Sequence, residues 1–220
     1  MKRHTLMMTV MILFVSVLMA VGNKEVKKQL KISISKGKQW EHSFKLFGMI
    51  KITATPQIVI WREDEEGNLI ETLYLTGKMK KIGRYEALPY WAHKADYFKQ
   101  KNQFDLITSA SPKGSTEINV NVKLNQMKYR ICAEVNHSYD YNEFFPKVGK
   151  KHPKYSKTNG QASLIYKSDL ILPEDTGNFV LKETGYGEAN GSTGKLYSDI
   201  SKLTTAREIV HYLGVMISIR

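Results

Sequence analysis

Two segments of the chain alternate strictly between apolar and polar residues. Residues 30 to 35 read LKISIS, and residues 118 to 124 read INVNVKL. Successive side chains of a β-strand point to opposite faces, so this alternation predicts strands with one buried and one solvated face. Strands of this kind must bury their apolar faces against a second layer. The alternation therefore favours an all-β fold.

Other apolar, β-branched runs complete a set of short strands. Residues 49 to 53, 57 to 61 and 69 to 76 are such runs, and the acidic connector DEEGN at 64 to 68 predicts a hairpin between the last two. A second predicted hairpin joins 118–124 to 128–135. A third joins 162–172 to 178–183 across a turn that contains Pro173 and Gly177.

The C-terminal region carries the one clear helix signal. Thr205 and Glu208 form a capping box, which predicts a short helix that ends near Leu213, followed by a closing strand at 215 to 219. A chain of 220 residues suffices for one well-buried core. We therefore predict a single domain over residues 23–220, a two-sheet antiparallel Ig-like sandwich with one short C-terminal helix. A closed barrel is the alternative.

The N-terminus resembles an export signal. The basic residues of MKRH are followed by an apolar run at 5 to 21, with small residues at Ala20 and Gly22. This pattern predicts a signal peptide over residues 1–22 and a periplasmic or extracellular mature protein. An uncleaved membrane anchor is the alternative, because the run approaches the length of a spanning helix.

Charge and cysteine content restrict the partners. The formal net charge is +12, and it falls to +10 when Lys2 and Arg3 leave with the signal. In an exported protein such charge fits attraction to anionic envelope surfaces, and the lysines form no long block with interleaved aromatic residues, which argues against nucleic acid. Cys132 is the lone cysteine and predicts a buried, inert thiol. The histidines show no metal-ligand spacing.

The long segment from 77 to 117 lacks clean periodicity, which in a compact domain indicates a functional loop. Near its end, FDLITSASPKG at 104 to 114 matches the pattern Asp-x-x-Ser/Thr-Gly/Ser-Ala-Thr/Ser through Asp105, Thr108, Ser109 and Ser111. This pattern resembles the attachment site of proteins that carry FMN as a covalent phosphoester, such as the flavinylated subunits of bacterial ion-pumping quinone reductases. The resemblance implies that Ser111 is the acceptor.

The middle of the same segment offers groups that suit a flavin. Tyr90, Trp91 and His93 could provide flat faces for the ring, and Lys113 with Gly114 could bind the phosphate. The alternative is that Leu88 and Trp91 anchor the loop to the sandwich while His93 is solvated.

A second resemblance extends along the chain. It is carried by four stretches, PQIVIW at 56–61, EALPYWAH at 86–93, SASPKG at 109–114 and GQASLIY at 160–166. They resemble an uncharacterised family of predicted periplasmic proteins, a domain of unknown function whose members occur beside, or fused to, the FAD-dependent protein flavin transferase. This resemblance would cover nearly everything after the signal. The chain departs from the flavinylation pattern at Ser109, where Gly is commoner, and at Ser111, where Thr is commoner.

Two functions follow as hypotheses. In the first, the protein is an extracytoplasmic electron carrier with FMN on Ser111, a substrate of the flavin transferase with no turnover of its own, and a membrane redox partner is possible. In the second, it is a non-catalytic sandwich module that binds carbohydrate or protein through the loop at Tyr90 to His93.

Overall fold

The computed structural model describes residues 26–46, 48–77, 85–97, 108–109, 112–124 and 127–219. Within them, helix α1 is Pro89–Lys94, and short 3-10 helices cover Tyr85–Ala87, Ile200–Lys202 and Thr205–Glu208. The strands are β1 (Val26–Lys36), β2 (His42–Leu46), β3 (Ile50–Ala54), β4 (Gln57–Asp64), β5 (Leu69–Thr76), β6 (Thr108–Ser109), β7 (Thr116–Leu124), β8 (Tyr129–Asn136), β9 (Leu164–Lys167), β10 (Gly177–Val180), β11 (Lys182–Tyr186) and β12 (Val210–Ile219).

These strands form two large sheets and one separate hairpin. The four-stranded sheet has the order β10-β12-β1-β7, and the six-stranded sheet has the order β11-β9-β8-β4-β5-β6. All pairs are antiparallel except β5 with β6, and β2 pairs only with β3. The all-β, two-sheet sandwich is confirmed, and the described residues form no closed barrel. The finer Ig-like assignment stays a prediction.

The main core lies between the two sheets. Leu30 and Ile32 of β1 are fully buried in one cluster with Ile58 and Ile60 of β4. The intervening residues of β1 from Gln29 to Ser35 are exposed or half-buried. The alternation at 30 to 35 therefore marks a one-sided strand, as the sequence predicts.

A second core covers the opposite face of the six-stranded sheet. Val59 and Trp61 of β4 are fully buried there against Leu88 and Trp91 of the helical segment at 85–97. Both faces of β4 are thus covered. This explains why β4 contains the uninterrupted apolar run IVIW at 58–61. The segment adds a third layer to the sandwich.

The predicted C-terminal helix is wrong. Thr205–Glu208 forms only a short 3-10 helix, and β12 begins at Val210 and pairs with β1 as far as Ile219. The capping box does not form, since the Thr205 hydroxyl donates to Asp140 Oδ1 at 2.7 Å. Pairing with β1 overrides the local helix signal.

Two of the three predicted hairpins also need correction. The hairpin of β4 with β5 is confirmed, but β7 pairs with β1 whereas β8 pairs with β4 and β9. The connection between β7 and β8 therefore crosses between sheets. The predicted strand at 178–183 divides at Leu181, because β10 joins β12 and β11 joins β9.

The described residues contain no helix that is long and apolar enough to cross a membrane. The apolar run at 5–21 lies outside them. The signal peptide at 1–22 and the domain start at residue 23 therefore stay predictions.

Candidate functional site

The site region is built on a buried carboxylate. Glu134 lies on β8, is 0% exposed, and accepts hydrogen bonds from the amides of Tyr90 at 3.2 Å and Trp91 at 2.8 Å. The Ser163 hydroxyl donates to the same carboxylate. Burial raises the pKa of Glu134 to about 7, although these hydrogen bonds oppose the rise. Glu134 thus fastens α1 to the sheet and holds its proton near neutral pH.

A second buried charge lies on the same sheet face. Glu63 is 1% exposed and forms ion pairs with Lys167 at 2.5 Å and Lys94 at 3.5 Å. Both ammonium groups also lie over the ring of Tyr90, at 5.4 and 4.9 Å from its centroid. Lys94, at the end of α1, therefore connects the helix to the charge of β4.

Cys132 neighbours this charge cluster. Its side chain is 0% exposed, and burial followed by the charge of Glu63 raises the pKa of the thiol above its ordinary value. A thiol without thiolate character is a poor nucleophile. The predicted burial of the cysteine is confirmed, and its inertness stays a prediction.

The aromatic residues of the loop differ in accessibility. Trp91 is 0% exposed, packs on Tyr97, and donates its indole N–H to Thr72 Oγ1 at 2.9 Å. Tyr90 is 8% exposed. His93 lies on the solvent side of α1 and is exposed. In this structure Tyr90 and Trp91 offer no open face to a ligand, which supports the anchoring alternative for them.

The loop from 187 to 194, which contains Gly187, Gly191 and Gly194, covers this helical segment closely. A Cβ on Gly187 would lie 2.7 Å from Ser163 Oγ, 2.9 Å from Pro89 Cγ and 3.1 Å from Glu134 Oε1. Cβ atoms on Gly191 and Gly194 would meet Glu86 and His93 at 2.7 and 2.6 Å. The absence of side chains on these glycines allows this close approach, which sequence reasoning misses.

Two residues of the flavinylation motif lie at a sheet edge. Thr108 and Ser109 form β6, which pairs in parallel with Leu75 and Thr76 at one edge of the six-stranded sheet. A few residues later, Thr116 starts β7, an edge of the four-stranded sheet. Between them Lys113 is exposed, and Ser115 Oγ accepts from the Lys36 amide at 3.0 Å. Asp105 and Ser111 lie outside the described residues.

A cleft of about 480 Å³ lies at the other end of β5. Its lining joins the β4–β5 turn to the end of α1, with Gly67, Asn68, Leu69, Ile70, Lys94, Ala95 and Asp96. Leu69 precedes Leu75, the partner of Thr108, by six residues, or roughly 20 Å along a strand. The structure therefore does not bring the cleft and Thr108 together.

The cleft is the feature that sequence reasoning misses. The DEEGN connector gives the turn, but nothing in the sequence places Lys94 beside it. The Lys94 ammonium donates to the carbonyl of Gly67. Among the described residues, no group of three or more His, Cys, Asp or Glu side chains could hold a metal ion.

Fold and site together define a β-sandwich with an outer helical layer over its larger sheet. The chain belongs to the family DUF2271 of predicted periplasmic proteins, whose sequence model matches residues 50–159, half of the chain. The match includes α1, the motif and the cleft, but it is shorter than the predicted coverage and ends before the stretch at 160–166. Comparison with curated proteins gave no match, and neither did comparison with solved structures.

Proposed function

We propose that this protein is an extracytoplasmic electron carrier that holds FMN as a phosphoester on Ser111. The observation that supports the proposal is that Thr108 and Ser109, two residues of the motif, form the edge strand β6, and that Thr116, shortly after the motif, starts the edge strand β7. A flavin transferase must draw the acceptor hydroxyl into its own active site. A connection between two edge strands suits that requirement better than a segment inside a sheet.

The attachment step is a displacement at phosphorus. The Ser111 hydroxyl oxygen forms a bond to the FMN phosphorus of FAD, the bond from that phosphorus to the bridging oxygen breaks, and AMP leaves. The hydroxyl proton passes to a base of the transferase. Asp105, Thr108 and Ser109 are recognised by the transferase, and Lys113, exposed two residues beyond the acceptor, pairs with the phosphate.

The ring contacts of the proposed flavin are more restricted than the sequence predicts. Because Tyr90 and Trp91 are packed in the second core, their role is to hold the segment at 85–97 in place. His93 is the member of this group whose side chain is exposed to a ligand. Membership of a family of predicted periplasmic proteins supports export, after which a membrane redox partner would exchange electrons with the flavin.

Intact mass measurement tests the proposal. Co-expressed with a flavin transferase and FAD, the wild-type protein is expected to gain one FMN that survives denaturation and maps to the peptide containing Ser111. Ser111→Ala abolishes the gain and Ser111→Thr keeps it. Asp105→Ala reduces it, and Thr108→Ala, the internal hydroxyl control, has the smaller effect. A wild-type mass that never rises refutes the carrier function.

The cleft favours one other function. Its volume of about 480 Å³ lies within the range of small-ligand sites, and Asn68 and Lys94 give it polar groups. A non-catalytic module for carbohydrate or protein would therefore bind there and not through the rings of Tyr90 and Trp91. Isothermal titration with soluble glycans, with Asn68→Ala as the variant that weakens binding, tests this second candidate.

A further inference from the structure

The hairpin of β2 and β3 ends in an exposed apolar tip. Met49 is 85% exposed and Ile50 is 57% exposed, the largest and the third largest values among the exposed large apolar side chains of the described residues. The base of the hairpin is packed, since the ring of Phe44 stacks on Tyr139 at 4.3 Å. The outer end of the hairpin therefore lies in solvent beyond the contact of Phe44.

Two lysines flank this tip on one side. Lys45 and Lys51 face each other directly across the β2–β3 pair, and both are exposed. Neither forms an ion pair with an acid of the described residues. Like charges directly opposite each other destabilise a strand pair, so this pair concentrates positive charge beside the tip at some cost to the stability of the hairpin.

We propose that this tip, defined by Lys45, Met49, Ile50 and Lys51, docks the protein on an anionic lipid surface. Apolar side chains that enter the interface beside lysines that stay at headgroup level are the two features of interfacial anchoring. The loop that starts at Tyr139 adds exposed positive charge at Lys147, Lys150, Lys151 and Lys154. The inference goes beyond the proposed function and holds whether or not flavin is attached.

The charges favour lipid over a second copy of the chain. Each copy carries a formal charge of +12, or +10 without the predicted signal, and two tips would bring four lysines together. An anionic headgroup layer instead pairs with these lysines. Each lysine near the surface raises the membrane affinity about fivefold. The two exposed apolar side chains are then removed from water together.

An environment-sensitive fluorophore tests the docking in the full chain. A cysteine introduced as Met49→Cys takes the label, while Cys132 is 0% exposed and does not compete. Vesicles of phosphatidylethanolamine and phosphatidylglycerol should shift the emission to the blue, and vesicles of phosphatidylcholine alone should not. The same label at Met216→Cys, an exposed position on the four-stranded sheet, should not shift.

Matched variants separate local docking from diffuse attraction. Lys45→Gln with Lys51→Gln should weaken vesicle affinity about twentyfold, and Ile50→Ser about tenfold. Lys27→Gln with Lys123→Gln removes another directly opposed lysine pair, on the four-stranded sheet. This double variant should change vesicle affinity less than about twofold. The proposal would be overturned by an equal loss of vesicle affinity in the two double lysine variants, or by an emission shift at position 216 equal to that at position 49. It would also be overturned by a shift without vesicles that grows with protein concentration, or by no shift at position 49.

Discussion

The amide of Trp91 donates a 2.8 Å hydrogen bond to the carboxylate of Glu134, a side chain with no solvent exposure. This contact joins the first turn of α1 to β8, the strand at the centre of the six-stranded sheet. A buried carboxylate is tolerated there because it can keep its proton and because three donors converge on it. The outer layer is therefore fastened by polar contacts as well as by apolar packing.

Glu134 should make stability depend on pH. Its pKa is raised from 4.5 to about 7 in the folded state, so between these values the folded protein binds a proton that the unfolded chain has lost. The stabilisation that comes from this bound proton is complete below pH 4.5 and is lost as pH rises through about 7. In total it amounts to on the order of 3 kcal/mol of unfolding free energy. Urea unfolding of wild type and Glu134→Gln over this range measures it.

Two variants sharpen that measurement. Glu134→Gln cannot titrate, so its stability should lack the decline between mildly acidic and neutral pH. Ser163→Ala removes a hydrogen bond that lowers the pKa of Glu134 and should move the decline to higher pH. Equal pH profiles for wild type and Glu134→Gln would contradict the assignment.

The buried ion pair of Glu63 with Lys167 should contribute more to stability than the exposed ion pair of Asp169 with Lys182. Lys167→Met leaves Glu63, 1% exposed, with only the more distant Lys94, and should cost about 3 kcal/mol of unfolding free energy. The matched control is Lys182→Met on the adjacent strand, since Lys182 lies opposite Lys167 and pairs with an exposed Asp169. That change should cost less than about 1 kcal/mol.

The double variant Glu63→Gln with Lys167→Met tests the origin of that loss. It removes the unpaired charge, so part of the stability lost in Lys167→Met should return. Chemical denaturation of the single and double variants provides the comparison. A loss in the double variant equal to the sum of the single losses would show that the two groups do not interact.

The strands themselves could largely be predicted from the sequence, but their partners could not. The segments at 30–35 and 118–124 alternate and lie in strands of one sheet, and the DEEGN turn correctly joins β4 to β5. The hairpin of β7 with β8 was wrong because a short connector fits a sheet crossing as well as a turn. The run YRICAEVN, apolar on consecutive positions, carried the signal that β8 is covered on both faces.

The wrong C-terminal helix and the unpredicted burial of Glu134 have a common cause. Both depend on contacts between residues that are distant in the sequence. Thr205 looks like a helix cap in sequence, yet its hydroxyl is bound by Asp140, 65 residues away. Glu134 looks like a solvated strand position until α1 lies over it. Buried polar partners that come from distant segments leave no local pattern, so neither could be predicted from residues nearby.

Gly187 should tolerate no side chain. Gly187→Ala places a Cβ 2.7 Å from Ser163 Oγ and 2.9 Å from Pro89 Cγ, so the loop or α1 must shift, at a cost of about 1–3 kcal/mol. Gly149→Ala is the matched control, because nothing lies within 4 Å of its Cβ and its φ is not in the left-handed region. It should change stability by less than about 0.5 kcal/mol. Equal melting temperatures for the two variants would exclude the close approach.

Trp91 and His93, on opposite sides of α1, should separate packing from flavin contact. Trp91→Ala empties a fully buried site and should cost about 3–5 kcal/mol of unfolding free energy with or without flavin on Ser111. Thr72→Val removes only the acceptor of the indole N–H and should cost about 1 kcal/mol. His93→Ala, on the exposed side, should cost at most about 1 kcal/mol, since the contact of His93 to the Gly191 carbonyl is long, at 3.4 Å. The absorbance of the flavinylated His93→Ala protein then reports on the flavin ring. A spectral shift at retained stability places the flavin beside α1. An unchanged spectrum places it elsewhere. A Trp91→Ala protein as stable as wild type would contradict the packing described for the second core.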